Sequence, residues 1–271
     1  MKALVRFCAT GHALARALLG LALAIGAASS VGAQRATALP FSIGERLTFT
    51  VSTTHVGNVG NAVMALTGPV DVHGTATILA SFDTRISVAM MKGSDESRSW
   101  IDPSDMTSLR FAKHEHRPFS SSDDSVDVIP ALHRWTGPHG TNGAVTSNHP
   151  LDELSFIYFL RTVSFAPDST YSFDRHYDTR RSPTTVRVVK RETLQTPAGK
   201  FDTVELEMRV KDGTEYKGEG VLHLWFSEDS CHLPVRIESA MPILGTGILT
   251  LASAVTPTCR AGERDPQLEH R

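Results

Sequence analysis

Only three cysteines stand among the 271 residues, and Cys8 falls near the start. A disulfide-dense scaffold is excluded, and no C-x-x-C pair exists to hold zinc or exchange thiols. No H-E-x-x-H helix, H-x-E deaminase pattern or G-x-S-x-G elbow occurs, so the usual sequence marks of zinc and serine hydrolases are missing. Long runs of Lys or Arg are absent too, which leaves a nucleic-acid groove or an anionic-membrane patch without support. Apolar runs are short. Past the first thirty-three residues the longest is Ile243 to Val255, interrupted by Gly245 and Gly247, so no transmembrane span is expected in the mature chain.

The start of the chain carries an address. Lys2, Arg6 and Arg16 give a basic beginning, an apolar run from Ala17 to Ala28 follows, and Val31-Gly32-Ala33 has the small residues of a cleavage site. The layout is that of a secretory signal peptide over 1–33. Export to the periplasm or the periphery of the cell envelope, or secretion, is the expectation. Losing three basic residues and no acids moves the formal net charge from −2 to −5. Residues 34–259 are expected to form one β-rich domain, with 260–271 a polar, disordered tail.

Alternation with a period of two dominates that domain. Leu47, Phe49 and Val51 share one face of "ERLTFTVS"; Val204, Leu206, Met208 and Val210 do so in "FDTVELEMRV". Gly60, Ala62, Met64 and Leu66 repeat the pattern, as do Ile78, Ala80 and Phe82. One buried and one wet face per strand means antiparallel sheet. Turn signals separate the strands at His73-Gly74, Lys92-Gly93, Pro197-Ala198-Gly199 and Lys211-Asp212-Gly213. Ten to twelve strands are expected, in a strongly curved antiparallel sheet or open β-barrel-like domain; a two-sheet sandwich is the alternative. Arg117 to Asp127 and Thr136 to His149 read as irregular loops.

One segment, "NHPLDELSFIYFLRTV", breaks the alternation. Leu151, Leu154, Ile157 and Tyr158 recur at helical spacing, Asn148 or His149 can cap the start, Pro150 suits the first turn, and Asp152 and Glu153 suit the positive end of the dipole. The spacing predicts one short amphipathic helix over an end or face of the sheet.

Cys231 and Cys259 remain after export, in a compartment that permits disulfides. A hairpin turning at Gly245 with paired residue numbers summing to 490 sets Val235 opposite Val255 and Cys231 opposite Cys259. That register puts Leu233, Val235, Ile237, Leu249, Leu251 and Val255 on one face, and a one-residue slip would invert it. A disulfide is the expectation. Free thiols with Cys231 activated by His232 are the competing reading, disfavoured because adjacent strand residues point to opposite faces.

His114 and His116 in "KHEHR" would share a strand face and are weak metal candidates, with His133, His139 or His149 as a third ligand. A solvated strand edge accounts for them as well, so no metal site and no cofactor is nominated. Asp123, Asp124 and Asp127 lack the EF-hand order, and Gly245-Thr246-Gly247 lacks the basic residue and helix of a phosphate loop. Trp100, Trp135 and Trp225 read first as packing residues. Trp100 and Trp225, with Leu154, Ile157 and Tyr158 from the helix, are the candidates for lining an apolar cavity under a helical lid.

Four stretches in order along the chain carry a resemblance: "PFSIGERLTFTVS" (Pro40 to Ser52), "LDELSFIYFLR" (Leu151 to Arg161), "TPAGKFDTVELEM" (Thr196 to Met208) and "LHLWFSEDSCHLPVRIES" (Leu222 to Ser239). Together they resemble the bacterial exported family DUF3108 over Pro40 to Val255. The resemblance implies a mainly β, envelope-associated protein of unassigned activity and supplies no catalytic residues. The functional expectation is a non-enzymatic envelope protein that binds or carries an apolar ligand such as a lipid or envelope precursor. Binding another envelope protein, or hydrolysis or metal chemistry on envelope material, are the alternatives.

Overall fold

The alternating segments become strands in a computed structural model that describes residues 38–117, 119–211, 220–241 and 244–259. The expected signal segment 1–33 and the expected tail 260–271 lie outside the described residues. The strands are β1 (Arg46–Thr53), β2 (Gly57–Val72), β3 (Thr75–Val88), β4 (Met91–Asp102), β5 (Thr107–Arg117), β6 (Ser120–Ile129), β7 (Arg134–Thr136) and β8 (Asn142–Ala144). After helix α1 (Glu153–Leu160) come β9 (Thr170–Phe173), β10 (Thr184–Thr196), β11 (Gly199–Arg209), β12 (Val221–Ser227), β13 (Pro234–Met241) and β14 (Gly245–Val255).

All fourteen belong to one antiparallel sheet rather than to a sandwich. Its order is β8-β7-β6-β5-β4-β3-β2-β1-β14-β13-β12-β11-β10-β9. Two meanders therefore run outward from a central β1–β14 pair, and the sheet stays open because β8 and β9 do not pair. Both edge strands are short, which limits unwanted edge-to-edge pairing. Register shifts at Thr48/Phe49, Val51/Ser52, Thr67/Val70, Trp100/Ile101, Val188/Lys190 and Trp225/Phe226 add local twist and curl the sheet.

The helix crosses the concave face. Its first turn bonds to β4 and β5 through Ser99 and Ser108, and Arg161 just past its end reaches Glu45 before β1 and the β12–β13 turn. Leu154, Phe156, Ile157, Tyr158 and Leu160 are all buried among Leu47, Phe49, Met64, Leu206, Leu224 and Val235. The helix is apolar all round rather than amphipathic, as a helix inside a core must be. It is a plug, not a cover.

Several expectations need correction. The cap is Asp152, not Asn148 or His149: its carboxylate accepts from the Leu154 and Ser155 amides, and the Ser155 hydroxyl accepts from the Asp152 N–H. Lys92-Gly93 lies within β4, and the turn falls at Ala89–Met90, with Ala89 in the left-handed region. Most of the expected loop Arg117 to Asp127 is the β5–β6 hairpin; the outer part of β6, Ser120 to Ser125, is exposed on both faces and so shows no apolar alternation. Of Lys211-Asp212-Gly213, only Lys211 is described.

The β13–β14 pairing numbers sum to 486, as in Ile237 opposite Leu249, not to 490. The four-residue difference preserves faces, so Leu233, Val235, Ile237 and Leu251 are buried as the alternation requires. Val255 is exposed instead, because Ala252 is skipped in the pairing with β1 and the parity of β14 inverts beyond it. Cys231 and Cys259 are nevertheless joined, with Cα atoms 5.3 Å apart. Cys231 lies in the turn between β12 and β13 and Cys259 in a bend past β14, so the bond ties that turn to the segment after the last strand rather than joining two rungs of the hairpin.

Candidate functional site

Two polar clusters bracket α1 in the interior. At its start, Asp152 Oδ1 accepts from the Leu154 and Ser155 amides, both at 2.8 Å, and Oδ2 accepts from Ser99 Oγ at 2.6 Å and from Ser108 Oγ. Burial pushes its carboxyl up to about 6, against the pull of those hydroxyls and amides. The neighbouring Glu153 goes the other way. Burial pushes it up as well, but His176 (Nε2 at 3.8 Å from Oε1) and the Arg181 guanidinium outweigh this and hold it at about 2.

At the far end, Arg161 Nη1 and Nη2 donate to Glu45 Oε1 and Oε2 at 2.6 and 2.8 Å, and Nη2 also donates to the Cys231 carbonyl at 3.0 Å. Its guanidinium lies 4.9 Å from the Phe41 ring centre and 5.4 Å from that of Tyr158. The Arg161 carbonyl accepts from His232 Nδ1 at 2.6 Å. Two buried charges persist here because they pair bidentately with each other and the guanidinium has further partners in the Cys231 carbonyl and two rings. These clusters fix the helix in place and leave its side chains packed.

The open groove sits on the other side of the sheet. Strands β10 to β13 present Lys190, Glu192, Leu194, Glu205, His223, Trp225, Arg236 and Glu238 around a groove of about 390 Å³. Alternation explains the membership: Leu224 and Phe226 turn inward, so His223 and Trp225 turn outward. Register completes it, since Lys190 pairs with Glu205, Glu205 with Trp225, and Trp225 with Arg236 across four strands.

The groove residues hold one another. Trp225 Nε1 donates to Glu192 Oε1 at 2.8 Å, Lys190 Nζ lies 3.0 Å from the same oxygen, and His223 Nδ1 is 2.9 Å from Glu205 Oε1. Arg236 Nε donates to Glu238 Oε1 at 2.6 Å while its guanidinium lies 5.4 Å from the Trp225 ring centre. The indole N–H, and then Lys190, hold the Glu192 carboxyl below its usual range. Three carboxylates against two permanent cations and a histidine make a nearly balanced, fixed array of donors and acceptors.

The residues that the sequence singles out are scattered over the fold. Leu154, Ile157 and Tyr158 are core residues under no groove, and Trp100 stands on β4 with Arg110 5.8 Å from its ring centre. Trp225 alone of the five lines the groove. Trp135 packs against Tyr177, and an added Cβ at Gly143 would meet its indole at 2.5 Å, which explains that glycine. His114 and His116 are exposed on β5; His114 Nδ1 lies 2.5 Å from Asp123, and no three potential metal ligands converge among the described residues. Glu45, Arg161 and the partners of Trp225 were missed. Arg161 follows Ile157 by four and Leu154 by seven, the buried face of the helix, and that spacing could have marked it as a buried cation.

The fold and the groove define a class: an open, helix-plugged antiparallel barrel with a groove on the outer, polar face of the sheet. A family model matches residues 48–252, and the chain belongs to DUF3108, "Protein of unknown function". Among solved structures, a β-barrel-like protein of the DUF1849 domain from Brucella abortus matches at TM-score 0.50 and 10% identity, covering 78% of this chain and 97% of that one. A candidate exported protein with a YmcC-like fold from Bacteroides fragilis (13% identity, 80% and 98% covered, TM-score 0.30) is a more distant match. So is a candidate lipoprotein from Parabacteroides distasonis (10% identity, 80% and 97% covered, TM-score 0.29). No curated protein matches the chain. Among the described residues no helix is long and apolar enough to cross a membrane.

Proposed function

We propose that the protein is an exported, non-enzymatic binding protein of the cell envelope, and that it holds a hydroxyl-rich portion of an envelope precursor in the β10–β13 groove. The observation that carries this reading is the groove itself, whose volume of about 390 Å³ falls in the range of small-molecule sites. Its lining is nearly charge-balanced and locked by internal pairs. Such an array disfavours a strongly charged ligand. Carboxylates and a guanidinium each offer two coplanar hydrogen-bonding atoms, which suit adjacent hydroxyls. Leu194 adds an apolar surface for the ring face. An apolar ligand held inside the sheet has less support, since α1 fills the concave face where it would lie.

The same pairing supports binding over catalysis. Glu192, Glu205 and Glu238 are each engaged by a hydrogen-bonding or cationic neighbour. The test is to purify the protein from its native envelope, identify co-purifying small molecules by mass spectrometry, and repeat with Glu205→Gln and Arg236→Gln. A stoichiometric glycan-bearing molecule, lost in both variants while thermal stability is retained, is the expected result. A purely apolar lipid retained by both variants, or no small molecule at all, refutes the reading.

A further inference from the structure

The β3–β4 and β5–β6 hairpins reach past the core at one end of the sheet. Ser94 on β4 pairs with His116 on β5; beyond that rung the β3–β4 ladder runs three more rungs, to Val88 and Met91, and the β5–β6 ladder one more, to Arg117 and Ser120. At about 3.4 Å per residue the β3–β4 ladder ends about 10 Å past that level and the β5–β6 ladder about 3 Å past it. What they carry is unusual for free turns. Met90 is 98% exposed, Phe119 94% and Met91 51%, and Val56 on the adjacent β1–β2 turn is 50% exposed. Large apolar side chains left in water at neighbouring tips mark an interaction surface.

Charge identifies the occupant. Between Thr84 and Ser94, and between His116 and Ser122, there is no acid, while Arg85, Lys92, His116 and Arg117 are all exposed. Register sets Arg85, Ser94 and His116 in one row across three strands, with Lys92 two residues further out on the same face. The acids begin only one rung inward, at Asp95 and Glu115, the latter bonded to Arg117 at 2.8 Å. The end of the finger is thus cationic on a chain whose net charge is negative. Arg85, Lys92 and Arg117 come from three strands, so no run in the sequence betrays them.

We propose that these tips are a membrane-docking edge. Met90, Met91 and Phe119 insert into the interface of a bilayer containing anionic lipid, and Arg85, Lys92, His116 and Arg117 meet the headgroups. Apolar side chains on separate, staggered tips fit a soft, deformable interface better than a partner's pocket. The reach of the β3–β4 tip, which carries Met90 and Met91, matches the ~5–10 Å depth at which interfacial segments sit, and the cationic rim matches an anionic leaflet. The docking edge is independent of the groove and stands or falls separately from it.

The purified protein is floated with vesicles of phosphatidylethanolamine and phosphatidylglycerol, and with vesicles of phosphatidylcholine alone. Methionine oxidation by dilute peroxide is mapped in each case by mass spectrometry. Binding to the anionic vesicles only, weakened by salt, with Met90 and Met91 protected there, is expected. Replacing Met90, Met91 and Phe119 together by Ser, or Lys92 and Arg117 by Glu, lowers the bound fraction about tenfold or more. Failure of the unaltered protein to float, or equal flotation of the variants, overturns the proposal. Protection of Met90 that grows with protein concentration without vesicles also overturns it, in favour of a second copy as the occupant.

Discussion

Arg161 and Arg98 make ion pairs of the same chemistry in opposite surroundings. The Arg161–Glu45 pair is 0% and 1% exposed at the end of α1; Arg98–Asp83, at 2.5 Å on the β3–β4 hairpin, is 29% and 36% exposed. Around the first, every neighbour is committed: Phe41, Tyr158, the Cys231 carbonyl and His232 all pack or bond to Arg161. The second is half-buried on the outer face, with Ser97 and Ser99 on either side of Arg98 turned inward and Glu96 a further neighbour at 3.5 Å. The interior of this protein is built to stay shut, whereas its outer face and tips stand open to solvent.

The difference breaks first at Glu45. Glu45→Ala leaves Arg161 buried without its carboxylate and costs about 3–5 kcal/mol, while Asp83→Ala costs less than ~1 kcal/mol. Urea unfolding of the two variants measures both. Equal losses would mean that the pair at the helix end is not buried in solution.

Removing the tie between Cys231 and Cys259, 28 residues apart, costs about 3–4 kcal/mol, chiefly through the unfolded chain. The loss is read as the difference in unfolding free energy between the oxidised protein and Cys231→Ser with Cys259→Ser. Because Cys231 holds Arg161 through its carbonyl, the variant is also expected to speed hydrogen exchange at the end of α1.

A smaller effect separates the two acids at the helix start. Asp152, raised to about 6 in the fold, binds its proton more readily there than when unfolded, so its contribution to stability grows as pH falls from about 6 towards 4. Glu153, held at about 2, contributes stability that is complete above its ordinary value and is lost as pH falls from there towards about 2. Stability against pH, measured with Asp152→Asn and Glu153→Gln, should lose the first slope in one variant and the second in the other. Asp152→Ala costs a further ~1 kcal/mol or more through the lost cap.

The tips are expected to matter least to folding. Met90→Ser and Phe119→Ser each change unfolding free energy by less than ~0.5 kcal/mol. A larger loss would place these side chains in a packed environment and remove them from any docking edge.

The same contrast explains what the sequence could convey. Strands such as β1 and β11, with one buried and one wet face, announce themselves through Leu47-Phe49-Val51 and Val204-Leu206-Met208. The outer part of β6 has two wet faces and hence no period, so "SSSDDSVD" reads as loop. The helix was legible as a helix, yet its surroundings were not: Leu151, Leu154 and Ile157 look the same whether they cover a sheet or fill it. Phe156 and Leu160 on the supposed wet side were the hint that it is enclosed. At the groove, parity alone puts Trp225 and His223 outward, but Lys190, Glu205 and Arg236 join them only through a register that no single strand encodes. The β13–β14 register shows the limit most plainly, since a shift of four preserves every face and is invisible to a pattern of period two.

Whether α1 is a plug or a lid is decided by hydrogen–deuterium exchange, because the two differ in how they open. With mass spectrometric readout at rising urea, amides of Phe156 to Arg161 are predicted to exchange only with global unfolding, together with β1 and β13. Those of Ala89 to Lys92 and Phe119 to Ser122 should exchange at once. Exchange of α1 as fast as that of the tips, with β1 still protected, would contradict the plug and make the helix a lid over an interior site.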